Sequence, residues 1–227
     1  MWIATLLLLA HPSEAVVPDG DSQLWFAGFA RFQLSEKFLG FAEIQNRLSE
    51  HASREQRLLV RVAGGVRLSE RITLWLGYGW TPEFNPAFLD EHRIWQQVLS
   101  EHEWGNWRLS ARFRLEERIL AGASSIGWRW REMLRLSVHP AGYERVGIVM
   151  WDEFFFSMSR NEVVVTGGLD QNRLFIGLNK TIYPGMSLDA GYLNLQTKQA
   201  AGNWNAAHAV VVYYYYHQPP RIAAKAD

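Results

Sequence analysis

Two hundred and twenty-seven residues at 26.2 kDa suffice for one large domain or two small ones, and 48% apolar against 20% charged residues argues against intrinsic disorder. Lys plus Arg equals Asp plus Glu at 23 each, which removes the electrostatic case for nucleic acid or an anionic membrane surface as partner. The lack of cysteine excludes disulfides, thiolate metal sites, cysteine nucleophiles and a lipoprotein anchor.

Two biases need an explanation: 31 aromatic residues, 11 of them Trp, and 19 Arg against 4 Lys. The chain starts MWIATLLLLAHPSEA, residues 1–15. Ile3 to Ala10 has the length of a signal h-region, and Ser13-Glu14-Ala15 places small residues at both cleavage positions, although no Lys or Arg precedes them. Cleavage after Ala15 would leave residues 16–227 and imply export. No later apolar run approaches the ~18–20 residues of a membrane helix; the longest is Ala209 to Tyr216. A membrane role would therefore have to come from strands or from surface attachment.

From Gln23 onward the pattern has period two. Gln23–Gln33 and Phe38–Arg47 are weaker examples, and Arg57–Leu68 is a clear one. There Leu58, Val60, Val62, Val66 and Leu68 share one parity, and Arg57, Arg61 and Arg67 the other. Ile72, Leu74, Leu76, Tyr78 and Trp80 follow, alternating with Arg71, Thr73 and Gly77; Glu91–His102 is weaker again. Trp107 to Leu115 alternates with Arg108, Ser110, Arg112, Arg114 and Glu116. Trp128 to Val138 alternates with Arg129, Arg131, Arg135 and Ser137, with Glu132 the single mismatch. Arg145–Phe155, a segment around Arg173–Asn179, Ser187–Gln196 and Ala207–Tyr216 complete the series. A helix would scatter each set around its axis, whereas a strand puts each set on one face. Eleven such segments of about ten residues, with connections alternately short and long, predict an all-β, up-and-down antiparallel barrel. Even strand counts are the rule for bacterial single-chain membrane barrels. Twelve strands are therefore expected over ten, with Asn161–Thr166 or Val16–Asp21 supplying the twelfth.

Alternation alone does not say which parity faces water. In an exported soluble carrier the apolar parity points inward; in an outer-membrane barrel it faces lipid and the polar parity fills the lumen. Strand length favours the membrane, since about 9–11 tilted residues span a bilayer while globular strands average nearer ~5–6. Trp80, Trp107 and Trp128 lie at segment ends, where girdle residues meet headgroups. The arginine bias suits a confined lumen, because guanidinium is weakly hydrated and pairs bidentately with carboxylates. The expected lumen charge ladder comprises Glu43, Arg47, Arg61, Arg93, Arg112, Arg114, Glu116, Arg118, Glu153 and Arg173, with Asp189 a further acidic partner.

Six segments in order carry a family resemblance: AEIQNR at 42–47, EHRIWQQ at 91–97, RFRLEER at 112–118, WDEFF at 151–155, GLDQNR at 168–173 and GYLN at 191–194. Together the chain resembles the domain of unknown function 2490 family of bacterial outer-membrane β-barrel proteins. The resemblance implies fold and location in the outer membrane, with lipid and the barrel-assembly machinery as partners; it brings no activity. Barrels of this kind end in a strand with a terminal aromatic, which Val210, Val212, Tyr214 and Tyr216 fit, although residues 217–227 follow as a tail.

No segment demands a catalytic reading, and no cofactor motif is present. Arg112, Arg114, Glu116 and Arg118 share one strand face, as an anion-selective lining or as filling for a narrow lumen; filling is the commoner arrangement in small barrels. Ser137 and His139, with Asn172 or Asn194 to orient the base, would make a lipid hydrolase like membrane-embedded phospholipase barrels. Glu101-His102-Glu103 cannot chelate as consecutive strand residues. Gly64, Gly65, Gly77 and Gly79 are expected to relieve crowding beside bulky side chains. The sequence thus favours a non-enzymatic structural or adaptor barrel, with a narrow pore for a small anionic solute and a lipid hydrolase as alternatives.

Overall fold

The computed structural model describes residues 18–84, 88–164 and 166–218. The expected signal segment 1–15 and residues 219–227 lie outside them. Eleven strands follow in chain order: β1 (Asp21–Gln33), β2 (Phe38–Ser49), β3 (Arg54–Arg67), β4 (Ile72–Trp80), β5 (Glu91–Trp104), β6 (Trp107–Leu120), β7 (Ile126–Val138), β8 (Val146–Ser157), β9 (Gly168–Tyr183), β10 (Met186–Lys198) and β11 (Trp204–His217). Each pairs antiparallel with its sequence neighbour, and β1 closes the barrel against β11. Each of the eleven alternating segments forms a strand. Most run past their apolar alternation, because the backbone ladder continues after the side chains stop alternating; β9 reaches 16 residues.

The strand count corrects the expected twelve. Eleven strands lie among the described residues, and an odd number of alternating strands brings the first and last into the same direction. The closing pair is accordingly parallel, with Asp21 opposite Ala207 and Arg31 opposite His217. Neither candidate twelfth strand is seen. The described part of Asn161–Thr166 is loop, Asp21 already belongs to β1, and Val16 and Val17 lie outside the described residues. β11 also includes His217, one residue beyond the expected barrel boundary.

Connections at one end are residues 34–37, 68–71, 105–106, 139–145 and 184–185; at the other they are 50–53, 81–90, 121–125, 158–167 and 199–203. The 139–145 connection is the longest at its end and 50–53 the shortest at the other. We call the two ends the short-turn and long-loop ends.

The apolar parity faces outward. Ile44, Val62, Leu76, Leu134, Ile176, Leu178 and Val210 are all exposed, each with more than half of its surface free. The charged parity is buried inside the closed sheet, together with two groups of aromatic and aliphatic side chains. One group gathers Trp25, Trp151, Phe175, Leu193 and Val211; the other gathers Leu39, Trp75, Trp95 and Leu99. The large inward rings lean over glycines on neighbouring strands. A Cβ at Gly77 would meet Trp95 Cζ2 at 2.2 Å and the Val62 carbonyl at 2.8 Å, and one at Gly65 would meet Trp75 at 2.6 Å. Gly64, by contrast, points outward into open space. Gly77→Ala is therefore expected to cost about 1–3 kcal/mol by overpacking, and Gly64→Ala to be neutral or slightly stabilising. Urea-dependent folding into lipid vesicles measures both; equal effects would show that Trp95 moves away freely.

Candidate functional site

Strand alternation turns one side chain in two into the barrel, and those of β2, β3 and β5–β9 are rich in Arg and Glu. The centre is Arg131 on β7. Its Nη1 donates to Glu116 Oε1 at 2.5 Å, and its Nε and Nη2 donate to Glu153 Oε1 at 3.0 and 2.7 Å. Glu153 also accepts from Arg112 at 2.5 Å and lies 3.8 Å from Arg173. Glu116 has Arg114 at 3.4 Å and Arg93 at 3.7 Å. Toward the long-loop end, Glu91 binds Arg93 at 2.9 Å and Arg118 at 2.5 Å. Arg61 meets Glu43 at 3.1 Å. Guanidiniums also lie over aromatic faces: Arg47 over Trp25 at 3.9 Å, Arg114 over Trp95 at 4.2 Å, and Arg173 over Phe155 at 4.4 Å. In a low-dielectric interior such contacts strengthen one another.

Of the ten residues expected in the lumen, nine are buried there: Glu43, Arg47, Arg61, Arg93, Arg114, Glu116, Arg118, Glu153 and Arg173. Arg112 is inward but partly accessible. The structure groups seven of them into the two clusters around Arg131 and Glu91, and Arg61 pairs separately with Glu43. Arg47 has no carboxylate partner among the described residues and donates to Gln45 Oε1 at 2.8 Å. Sequence reasoning missed several members. Arg129 binds Asp170 at 2.9 Å, Arg135 binds Asp189 at 2.7 Å, and Arg57 binds Glu83. The signal for Arg129, Arg131 and Arg135 was present, since all three share the inward parity of β7. Glu83 had no such signal because it lies in a connection.

The two ends of the lumen differ. At the long-loop end, Thr81, Glu83, Val163 and Val164 are buried, so these parts of the two longest connections fold inward over the mouth. Glu162 fixes the second of these: its carboxylate accepts from the Ser124 hydroxyl at 2.9 Å and from the Ser125 amide at 2.8 Å. The Ser124 hydroxyl and the backbone amides hold that carboxyl below the usual carboxylate range. At the short-turn end a cavity of about 670 Å³ runs from Asn106 and Gly185 down to Arg47, Arg131 and Arg173. No described residue of 81–90 or 158–167 lines it. The lumen is therefore a pouch with a charged floor.

The hydrolase constellation does not assemble. Ser137 and His139 are inward, where His139 Nε2 lies 3.0 Å from Asn179 Oδ1. Asn172 donates to Asp152 at 2.6 Å on the opposite, outer face. A different pair, Ser100 Oγ and His102 Nε2 at 3.0 Å, sits on the outer face of β5. Among the described residues no carboxylate or amide orients its other ring nitrogen, so a triad is incomplete. No metal-binding group of His, Asp and Glu occurs among the described residues, Glu101-His102-Glu103 included.

The chain belongs to the family described as "Protein of unknown function (DUF2490)", whose pattern matches residues 22–206. It is 29% identical over 210 residues to an uncharacterised protein of Methylorubrum extorquens, covering 89% of this chain and 91% of that protein. Among solved structures it is similar to the NanC porin, with a TM-score of 0.53 and 10% identity over 88% of this chain and 99% of the porin. At that identity the likeness is one of fold.

Proposed function

We propose that the protein is an outer-membrane β-barrel with a structural or adaptor role, its lumen sealed at the long-loop end by side chains and inward-folded connections. One observation carries the reading: the closed barrel exposes its leucines, valines and isoleucines and buries its guanidiniums and carboxylates. Soluble monomers rarely expose apolar patches beyond a few hundred Å², whereas a belt of this kind is what hydrocarbon requires. Trp80, Trp107 and Trp128 are exposed close to the strand ends, as interfacial girdle residues would be. Similarity to a porin fold supports the same location, and residues 1–15 would direct export. The short-turn end would then face the periplasm.

The test is fractionation followed by gel mobility. The expressed chain is expected in the outer-membrane fraction, and an unboiled detergent sample should migrate differently from a boiled one. Recovery in the soluble fraction without detergent would overturn the proposal. In planar bilayers the sealed end predicts no conductance steps; regular steps would favour the narrow-pore alternative.

A further inference from the structure

The pouch has a chemistry that its sealing role does not need. Its lining carries nine arginines against five glutamates. The imbalance is greatest in the deeper part, where the six lining arginines Arg47, Arg61, Arg112, Arg114, Arg131 and Arg173 share three carboxylates, Glu43, Glu153 and the more deeply buried Glu116. Arg47 is 5% exposed and meets no carboxylate among the described residues. Arg114 gives its two shortest bonds, 2.6 and 2.9 Å, to the neutral Gln97. Arg114 reaches a carboxylate only at 3.4 Å, on Glu116. A lumen packed solely for stability would pair a cation such as Arg47, because an uncompensated buried charge is costly. The rest of the lining includes the aromatic and apolar residues Phe41, Trp75, Trp95, Leu99, Tyr213 and Tyr215. Trp75 and Trp95 are nine-tenths buried or more, and neither indole N–H has a hydrogen-bond partner among the described residues. The volume falls within the ~300–1,000 Å³ of small-molecule sites.

We infer that the pouch is a binding site for a small organic anion with an aromatic body, entering from the short-turn end. The acid group lies against Arg47 and Arg114 on the floor, and the ring lies along Trp75, Trp95 and Tyr213. Guanidiniums supply charge-assisted donors to a carboxylate or sulfonate, and the ring surfaces favour a flat apolar body over an extended aliphatic one. This inference rests on the barrel's interior and goes beyond the proposed role at the membrane.

Calorimetric titration of the full-length barrel in detergent tests it with three probes: 2-naphthalenesulfonate, 2-naphthylmethylammonium and methanesulfonate. The first is expected to bind saturably at one site and to quench tryptophan fluorescence; the other two are expected not to saturate. Arg47→Gln, which strands no carboxylate, should weaken 2-naphthalenesulfonate binding about tenfold, the equivalent of one charge-assisted hydrogen bond. Equal binding of the ammonium probe, binding of methanesulfonate as tight as that of the aromatic anion, or no saturable binding at all would overturn the inference. Unchanged affinity in a heat-modifiable Arg47→Gln barrel would do so as well. If that variant fails to fold, the comparison of probes on the unsubstituted chain decides. A barrel that fractionates with the outer membrane but binds no probe would remove the pouch site and leave the proposed location standing.

Discussion

Arg131→Met is expected to destabilise the folded barrel by about 3–5 kcal/mol, the cost of stranding a buried carboxylate. The burden falls unevenly on its two partners. Glu153 keeps Arg112 at 2.5 Å, whereas Glu116, fully buried, keeps only Arg114 at 3.4 Å and Arg93 at 3.7 Å. Neutralising Glu116 as well should therefore recover part of the loss: Arg131→Met with Glu116→Gln is expected to fall short of the summed single effects by about 1–3 kcal/mol. Folding titrations in urea with lipid vesicles, read by gel mobility, give all three values. Strictly additive losses would mean that the contact carries no coupling. Arg108 with Glu103 is the contrasting case. That pair is 2.6 Å apart, but both side chains are more than half exposed near the short turn of β5–β6. Arg108→Ala should cost no more than about 1 kcal/mol.

This contrast shows what the sequence could and could not disclose. Period-two parity makes the direction of each strand side chain legible, since a one-residue slip would exchange the two faces of the sheet. Arg129, Arg131 and Arg135 were readable as inward for the same reason. Which carboxylate meets which guanidinium is another matter. Arg135 on β7 reaches Asp189 on β10, and Arg31 on β1 reaches Glu101 on β5. Such cross-lumen pairs depend on the stagger and width of the closed barrel, which no local pattern encodes. The strand count failed similarly. Alternation identifies each strand, but the direction of the closing pair is decided only once β1 and β11 meet. The pouch was the least legible feature. It exists because Thr81, Glu83, Val163 and Val164 are turned inward from their connections and because Trp75 and Trp95 lie over Gly65 and Gly77. The outer face also has polar interruptions that a uniform lipid-facing pattern would omit. Glu132 accepts from Trp130 Nε1 at 2.8 Å, and Asp152 accepts from Asn172. Each outward carboxylate named here has a hydrogen-bond donor beside it, which lowers the cost of placing it on that face.

Leu76→Arg tests the orientation on which every later step depends. Leu76 occupies the middle of β4, 61% exposed on the outer face, opposite Gly64 and Gln96. If that face meets hydrocarbon, a guanidinium at this depth should cost about 2–4 kcal/mol. Trp80→Arg, at the long-loop end of the same strand, should cost about 0–1 kcal/mol for its charge because it lies near the interface. The difference between the two positions carries the argument. An exposed leucine on a water-facing wall could be replaced within about ±0.5 kcal/mol wherever it stood along the strand, so a soluble barrel predicts no dependence on depth. Vesicle folding titrations of both variants should therefore give a penalty that rises from Trp80 to Leu76. A flat profile would mean that water, and not lipid, covers the apolar wall.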